Sequence, residues 1–498
     1  MSTVINNDKK ITNLILFVSG LFILSYSVSR AYLLSITSDE SHTFIEYVNK
    51  GIIFLSTYDR ASANDHFLNT WLIEITTRFF GISELSLRLP NIIAHLFFLI
   101  YSAKLLSKFT SRILIVSSYL ILNLNPFLLD FFMLARGYGI AIGLMMISLY
   151  YTYLFIIEKR SYLIAFVSVL LSALAVLASF TLIGFMIINL GILIVVNSYR
   201  MMNEIKENKK RSEAAIIKEF FLLFAPLSIF IFVAPVIINM NQSTALFWGG
   251  ETGFWKDTVF SLITETMYGN HFMRHLRNGV QIGVAIALFT SFVLILLNYI
   301  STKSIKRYSF LAYIFIILIS CFLMNFLEFH LFGIHYLQER TALFYFPLFI
   351  LLLAFLFDDL IRKKKNIFIL VIIGIAIVFT YNFVININFN YVKSWKKEAD
   401  TKDMINDIIE LKTKVIDNDN SLNLSVLKWS WLYDNDIFYY KQKYHLDWLN
   451  FKGYYNNGDS SNIVFLDKSD VDSLNNPSLK FVKDYPCSNM VLFGKEKK

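Results

Sequence analysis

Apolar runs of roughly 20 residues, set apart by short polar breaks, recur from near the N-terminus to about residue 388. As helices they are long enough to cross the roughly 30 Å of hydrocarbon in a bilayer. They are continuous rather than alternating, which excludes the strands of a membrane β-barrel. The pattern predicts helices at 11–34, 87–107, 112–131, 137–157, 161–180, 182–199, 219–239, 279–299, 308–329, 341–361 and 367–388. Three other segments are too long to be simple connectors. Residues 35–86 contain "HFLNTWLIEITTRFFG", in which apolar positions follow a helical period with Glu74 and Arg78 four apart. This predicts an amphipathic helix lying on the membrane surface. Residues 240–278 are aromatic and broken by glycine ("ALFWGGETGFWKD"), then basic ("HFMRHLRNG"). From residue 389 the charge rises and the period becomes mixed: a helix around Asp400–Leu411, and strands around Leu422–Leu427, at "NIVFLD" and at "MVLFG".

Composition agrees with a membrane protein. Of 498 residues, 56% are hydrophobic and 17% charged, with mean hydropathy +0.53; soluble domains carry about a quarter charged residues. The net charge of +9 is explained by where the basic residues lie. Lys104, Lys108 and Arg112, then Lys159 and Arg160, then Lys206, Lys209, Lys210 and Arg211, then Lys303, Lys306 and Arg307, then "RKKK" from Arg362 fall on alternate loops. That is the positive-inside pattern for a cytoplasmic N-terminus, and an odd number of spans then places the C-terminus outside. The basic balance therefore reports orientation, and nucleic-acid binding is excluded as its explanation. The first apolar run follows Lys9-Lys10 as a signal sequence would, but it has no small-x-small cleavage site and predicts an uncleaved helix. Cys321 and Cys487 make no disulfide framework and no metal cluster. The rich Ile, Asn, Lys and Phe usage points to an AT-rich bacterial genome. The expected architecture is a polytopic α-helical membrane domain of about eleven helices, residues 1–388, in a bacterial cytoplasmic membrane, followed by a small extracytoplasmic α/β domain, residues 389–498.

Asp39 and Glu40 come directly after the first helix, on the predicted outer side. An adjacent acid pair in a loop is most simply a solvated one. At a membrane edge, however, an ionisable group is a functional candidate, and a carboxylate there suits general-base work on a hydroxyl or amine. Arg88, Arg136 and Arg340 fall at predicted outer helix ends, within "LSLRLPN", "MLARGYG" and "LQERTAL", against the positive-inside trend. Any one of them is accounted for by snorkelling. Three together suggest an anion held at the outer leaflet, and a lipid phosphate is the anion found at that depth. His42, His66, His271, His275, His330 and His335 are also on the predicted outer side. His271 and His275, four apart, suit a metal if helical, although a polar loop surface explains them as well. Asn64-Asp65-His66 reads either as a helix N-cap or as the lining of a pocket.

These residues together resemble the GT-C superfamily of membrane glycosyltransferases, the branch that includes protein O-mannosyltransferases and lipid A aminoarabinose transferases. "SDE" at Ser38–Glu40 looks like the family's acidic pair after helix one, and "FFGISELSLRLP" at Phe79–Pro90 like the motif that leads into helix two. "ARGYG" at Ala135–Gly139 resembles the Arg-x-Tyr that opens helix four, and "ERTALFYFPLFILLL" from Glu339 a late external arginine before a helix. The likeness is specific over residues 35–140 and rests on hydropathy beyond them. Where many relatives carry Lys-Pro-Pro or His-Pro-Pro, this chain has "ANDHFLN". The resemblance implies Asp39 as the catalytic base and Glu40 as its helper or the acceptor's. It implies Arg136, Arg340 and Arg88 at the donor phosphate, with Arg88 instead able to pin the external loop. Asn64, Asp65, His66, Tyr138 and Glu339 are pocket candidates. The implied reaction is inverting transfer of a hexose or pentose from a polyprenyl-phosphate donor to a lipid, glycan or protein acceptor, with no cofactor required. A nucleotide-sugar donor is disfavoured, because such donors are cytoplasmic and the chain has no Gly-rich phosphate loop on a strand–helix unit. Two rivals remain. One is a metal-dependent oligosaccharyltransferase using a lipid diphosphate and a divalent ion, with Glu251, Asp257, Glu265 and Glu328 as available acids. The other is a transporter or lipid flippase, for which the sequence lacks two related halves and helices broken at mid-membrane.

Overall fold

A computed structural model describes residues 2–51, 66–158, 161–206, 226–236, 238, 249–269, 275–302, 309–415, 421–427, 430–455, 461–474 and 476–495. Asn64, Asp65 and His271 lie outside these residues.

The helical part contains α1 (Ser2–Leu33), α2 (Ser38–Glu46), α3 (Phe67–Phe80), α4 (Glu84–Leu106), α5 (Arg112–Asn123), α6 (Pro126–Met133), α7 (Gly137–Tyr153), α8 (Tyr162–Ala178) and α9 (Ile183–Lys206). It continues with α10 (Pro226–Val236), α11 (Phe260–Thr266), α12 (Arg277–Thr302), α13 (Ser309–Phe332), α14 (Tyr345–Arg362) and α15 (Ile367–Ile385). Each of the eleven predicted runs contains helix. Among the described residues, seven helices are long and apolar enough to cross a membrane unaided. The chain is thus a polytopic helical membrane protein. α8 and α10 are apolar but shorter, and α14 ends in Asp358, Asp359 and Arg362.

The run predicted as one helix over 112–131 is instead two, α5 and α6, bent by 60°. Asn125 and Pro126 account for the break. The Asn125 Oδ1 accepts the N–H groups of Phe127 (3.0 Å) and Leu128 (3.4 Å), so it caps a new helix, and Pro126 at the first position offers no N–H to continue the old one. The chain from Ile121 to Gly143 is buried throughout and forms the hub of the bundle. By contrast α12 turns Val280, Ile282, Ile286 and Phe289 outward. In a membrane protein such a face belongs against lipid tails.

The C-terminal part contains α16 (Thr401–Val415), β1 (Leu422–Val426), α17 (Ser430–Tyr444), β2 (Leu449–Tyr454), β3 (Ile463–Asp467), β4 (Leu479–Tyr485) and β5 (Met490–Lys495). The five strands form one sheet in the order β2-β1-β3-β5-β4. β1 pairs parallel with β2 and with β3, while β5 pairs antiparallel with β3 and β4. The three predicted strands are the three central ones. Both edge strands and α17 were not predicted.

One core of this part, around Val464, Leu466 and Val491, closes on itself, but the larger one does not. Leu424, Phe465 and Leu492 from the sheet, Ile405 and Ile408 from α16, and Ile437 and Tyr440 from α17 pack in one buried cluster with Ile36, Phe44, Val48, Ile73, Leu87 and Ala135. The sheet domain is therefore seated on the segment that carries the acid pair. Burying a side chain such as Phe44 contributes about 1.5–3 kcal/mol, so several such residues make this a firm seat.

Candidate active site

α1 ends, and α2, α4, α7 and α14 begin, at one end of the bundle, so their termini place Asp39, Glu40, Arg88, Arg136 and Arg340 together. The pivot is Glu40, which is fully buried. Its Oε1 accepts from Arg88 Nε (2.8 Å) and from the Ala135 backbone N–H (2.6 Å). Its Oε2 accepts from Arg88 Nη2 (2.7 Å), the Thr37 N–H (3.0 Å) and the Thr37 hydroxyl (3.1 Å).

Arg88 is equally occupied. Besides the two bonds to Glu40, Nη1 donates to the carbonyls of Ala31 (3.1 Å) and Leu34 (2.9 Å), and Nη2 to that of Ser35 (2.6 Å). A guanidinium has five N–H donors, and all five here are taken by the protein. Of the carbonyls it binds, that of Ala31 lies open in the last turn of α1 and those of Leu34 and Ser35 follow directly after the helix. Arg88 thus ties the end of α1 to the start of α2.

Asp39 faces the other way. Its Oδ2 lies 3.0 Å from Arg340 Nη1 and 3.4 Å from Arg136 Nη2, and its side chain is 20% exposed. Arg340 is 27% exposed and Arg136 is buried. Among these five side chains three guanidiniums face two carboxylates, which leaves an excess of positive charge at an accessible spot.

Close packing holds the arginines. Arg136 precedes α7, whose first residue is Gly137. A Cβ there would collide with the Ala178 carbonyl oxygen and come within 2.6 Å of the His66 ring. At Gly139 a Cβ would meet Asn91 Oδ1 at 2.5 Å and also the Phe131 carbonyl. Glycine at both positions lets α7 start hard against its neighbours. The turn before it is pinned by the Ala135 carbonyl, which accepts from Asn69 Nδ2 (3.0 Å). Asn69 in turn accepts from Asn91 Nδ2 (3.0 Å), and Asn91 caps the Ile140 N–H (3.1 Å). Arg340 lies in a short 3-10 turn, Glu339–Ala342, with its guanidinium carbon 5.5 Å from the centre of the Trp395 ring and the Tyr138 hydroxyl beside it. Glu339 enters this turn at φ +50, a conformation that is strained for a residue with a side chain. Its N–H is held by Ser261 Oγ (3.0 Å), and the Gln338 N–H by Thr341 Oγ1 (2.9 Å).

His66 and Tyr138 join the same cluster, their rings edge to face at 4.9 Å. Burial, and then the positive charge of Arg136, hold the His66 imidazole well below its usual range, so it is neutral. The Glu339 carboxyl is raised by burial and by Glu265. Elsewhere among the described residues, His335 lies 3.3 Å from Glu251, and His42, on α2 three residues after Asp39, contacts Asn435 and feels the charges of Asp39 and Arg136. Among the described residues no group of three or more His, Cys, Asp or Glu side chains is placed to hold a metal ion. Of the acids named for a metal-dependent chemistry, Glu251 is exposed beside His335, and the other three make these contacts. Asp257 accepts from the N–H groups of Thr252 and Gly253, Glu265 pairs with Lys393 at 2.8 Å, and Glu328 accepts from Asn325 at 2.9 Å.

Sequence reasoning missed two acids behind Asp39. Glu398 Oε2 accepts the Ser38 N–H (2.6 Å) and its Oε1 meets the Ser38 hydroxyl (3.0 Å), while Asp436 Oδ1 accepts from the Ser41 hydroxyl (2.6 Å). Both are buried. In the sequence Glu398 sits in "WKKEADTKD", which reads as a solvated charge run, and nothing local marks it.

A multi-spanning helical bundle whose helix ends gather an acid pair and arginines under an α/β cap is the class of protein defined so far. Its fold is similar to that of ArnT. The crystal structure of ArnT from Cupriavidus metallidurans in the apo state aligns over 96% of this chain and 97% of that one, with TM-score 0.51 and 11% identity. ArnT from the same organism bound to undecaprenyl phosphate aligns over the same shares with TM-score 0.47 and 9% identity. No protein-family model matches the sequence, and no curated protein matches it.

Proposed function

We propose that this chain is a membrane glycosyltransferase that moves a sugar from a polyprenyl-phosphate donor to an acceptor at the outer face of the cytoplasmic membrane. The observation that carries the reading is Asp39: a partly exposed carboxylate held between Arg340 at 3.0 Å and Arg136 at 3.4 Å. The ArnT-like fold supports it, although fold alone does not define chemistry.

The two arginines have a natural second ligand in the donor phosphate. A guanidinium binds phosphate oxygens as readily as carboxylate oxygens. On donor binding, Arg136 and Arg340 turn to the phosphate and release the lone pairs of Asp39. Asp39 then takes the proton of the acceptor hydroxyl or amine as that group attacks the anomeric carbon from the face opposite the phosphate. The C–O bond to phosphate breaks, the configuration inverts, and the charge gathering on the phosphate is met by fixed guanidiniums in a partly desolvated site. Tyr138, His66 and Glu339 border the sugar. Glu40 and Arg88 stay outside the chemistry and fix the helix that presents Asp39.

The test uses the purified protein in lipid nanodiscs with labelled undecaprenyl-phosphate hexose and pentose. Asp39→Asn should lose transfer by about 10²–10⁴-fold, the usual worth of a general base, while remaining folded. Undiminished transfer by this variant would remove Asp39 as the base.

A further inference from the structure

Residues around Asp39 divide their contacts between two sides. Thr37 and Glu40 are held by the membrane helices, through Arg88 and the Ala135 N–H. Ile36, Ser38 and Ser41 are held by the C-terminal domain, and Ser35 by that domain through its hydroxyl and by Arg88 through its carbonyl. Ser35 Oγ donates to the Ala399 carbonyl (2.5 Å), the Ile36 N–H to the Tyr440 hydroxyl (3.0 Å), Ser38 bonds twice to Glu398, and Ser41 bonds to Asp436. Of the four residues in the first turn of α2, Asp39 alone turns its side chain to Arg340 and Arg136. Lys443 and Lys402 of the same domain reach Glu84 at the start of α4, at 2.5 Å and 3.5 Å, so the clamp grips both helices that frame the site.

We propose that Glu398, with Asp436 behind it, is the positioning residue for Asp39, so that the C-terminal domain is a working part of the active site. This rests on the reading of Asp39 as the base. Glu398 is suited to the task because it captures both the N–H and the hydroxyl of the residue next to Asp39, and a shift of that turn by one ångström would swing the Asp39 carboxylate off its arginines. It is also suited by its charge state. Glu398 faces the carboxyls of Asp39 and Glu40 from α2, and Asp436 and the Tyr433 phenol from α17. The nearby arginines pair with these other acids, Arg88 with Glu40 and Arg340 and Arg136 with Asp39. Burial and these neighbouring acids push the Glu398 carboxyl up to about 8, and push Asp436 well above its usual range. The Ser38 N–H and hydroxyl both donate to Glu398, and once protonated Glu398 still accepts the N–H through one oxygen while its other oxygen carries a proton to share with the Ser38 hydroxyl. Glutamine reproduces both bonds and alanine neither.

The experiment compares the wild type, Glu398→Ala and Glu398→Gln as full-length proteins in nanodiscs. Backbone hydrogen–deuterium exchange is read over Ser38–Glu46, with β3 as the internal reference, and transfer is read with whichever labelled undecaprenyl-phosphate sugar the wild type turns over. Glu398→Ala should raise exchange over Ser38–Glu46 at least about tenfold and lower kcat by about tenfold or more with donor KM unchanged, the reference strand keeping its protection. Glu398→Gln should recover most of both. Wild-type exchange and kcat in Glu398→Ala would overturn the proposal, as would a loss that Glu398→Gln does not recover. If Glu398→Ala does not fold, Ser41→Ala and Asp436→Asn replace it, with the same exchange outcome deciding. A wild type that transfers neither sugar overturns the glycosyltransferase reading, and the exchange data then judge the positioning of α2 by themselves.

Discussion

Removing Arg88 should cost the fold, and removing Arg340 should cost the ligand. Arg88→Met keeps the length and apolar stem of the side chain but deletes five hydrogen bonds. Glu40 then stays buried with its cationic partner gone; breaking one side of a buried ion pair costs about 3–5 kcal/mol. The carbonyls of Ala31, Leu34 and Ser35 lose their donor as well, at about 1–3 kcal/mol for each that water does not reach. Together these exceed the typical effect of a point mutation several times over. Arg340→Gln breaks a partly exposed pair, for which about 1 kcal/mol or less is expected. The assay is a thermal unfolding midpoint in detergent, read beside undecaprenyl phosphate binding at fixed lipid. Arg88→Met should unfold at least about 5 °C below the wild type or fail to accumulate. Arg340→Gln should stay within about 2 °C while its binding weakens about tenfold or more, as expected for loss of a charge-assisted bidentate contact. An Arg88→Met protein with wild-type stability and lost lipid binding would refute the division of roles, and would return Arg88 to the phosphate.

Three further outcomes follow from the same geometry. Stability should fall as pH rises from about 4.5 to about 8: Glu398 titrates near 8 when folded against 4.5 when free, so the folded protein holds a proton there that the unfolded chain releases, and Glu398→Gln should flatten this slope in midpoints measured from pH 5 to 9. Gly137→Ala should destabilise by about 1–3 kcal/mol and weaken undecaprenyl phosphate binding, since the added methyl must push α7 and Arg136 away from Ala178 and His66; equal binding and stability would show that the close approach is not needed. Lys443→Ala should lower stability only modestly, by about 1–2 kcal/mol, because Glu84 keeps Lys402 as a second partner at 3.5 Å, and the double variant with Lys402→Ala should lose more than the two single losses combined.

The parts of this protein that the sequence makes legible are those where one residue type carries its own reason. A run of twenty apolar residues has to become a buried or lipid-facing helix, so each predicted run contains helix. β1, β3 and β5 are legible for the same reason: the burial patterns of "LNLSV" and "IVFLD" show nearly every residue covered, as central strands require. Of the edge strands, β2 is buried only at Leu449 and β4 only at its two ends, and "LKFVKDY" looks like a charged loop until a neighbour supplies its hydrogen bonds. The bend at Asn125-Pro126 was open to reading, since a proline preceded by a capping residue seldom continues a helix. The site divides along the same line. Arg88, Arg136 and Arg340 are visible because basic residues at these helix ends are out of place, but sequence cannot say that one of the three meets all five of its hydrogen bonds inside the protein. That distinction depends on where the carbonyls of α1 point. Glu398 and Asp436 are invisible for a stronger reason. Each lies about 360 or more positions from the serine it holds, and only the seating of the sheet domain on Phe44 and Leu87 turns two ordinary surface acids into buried ones. A carboxyl acquires a raised pKa from its surroundings and not from its neighbours in the chain. Asp39, the proposed base, therefore stands out within the first fifty residues, whereas the contacts that hold its turn come from the C-terminal domain.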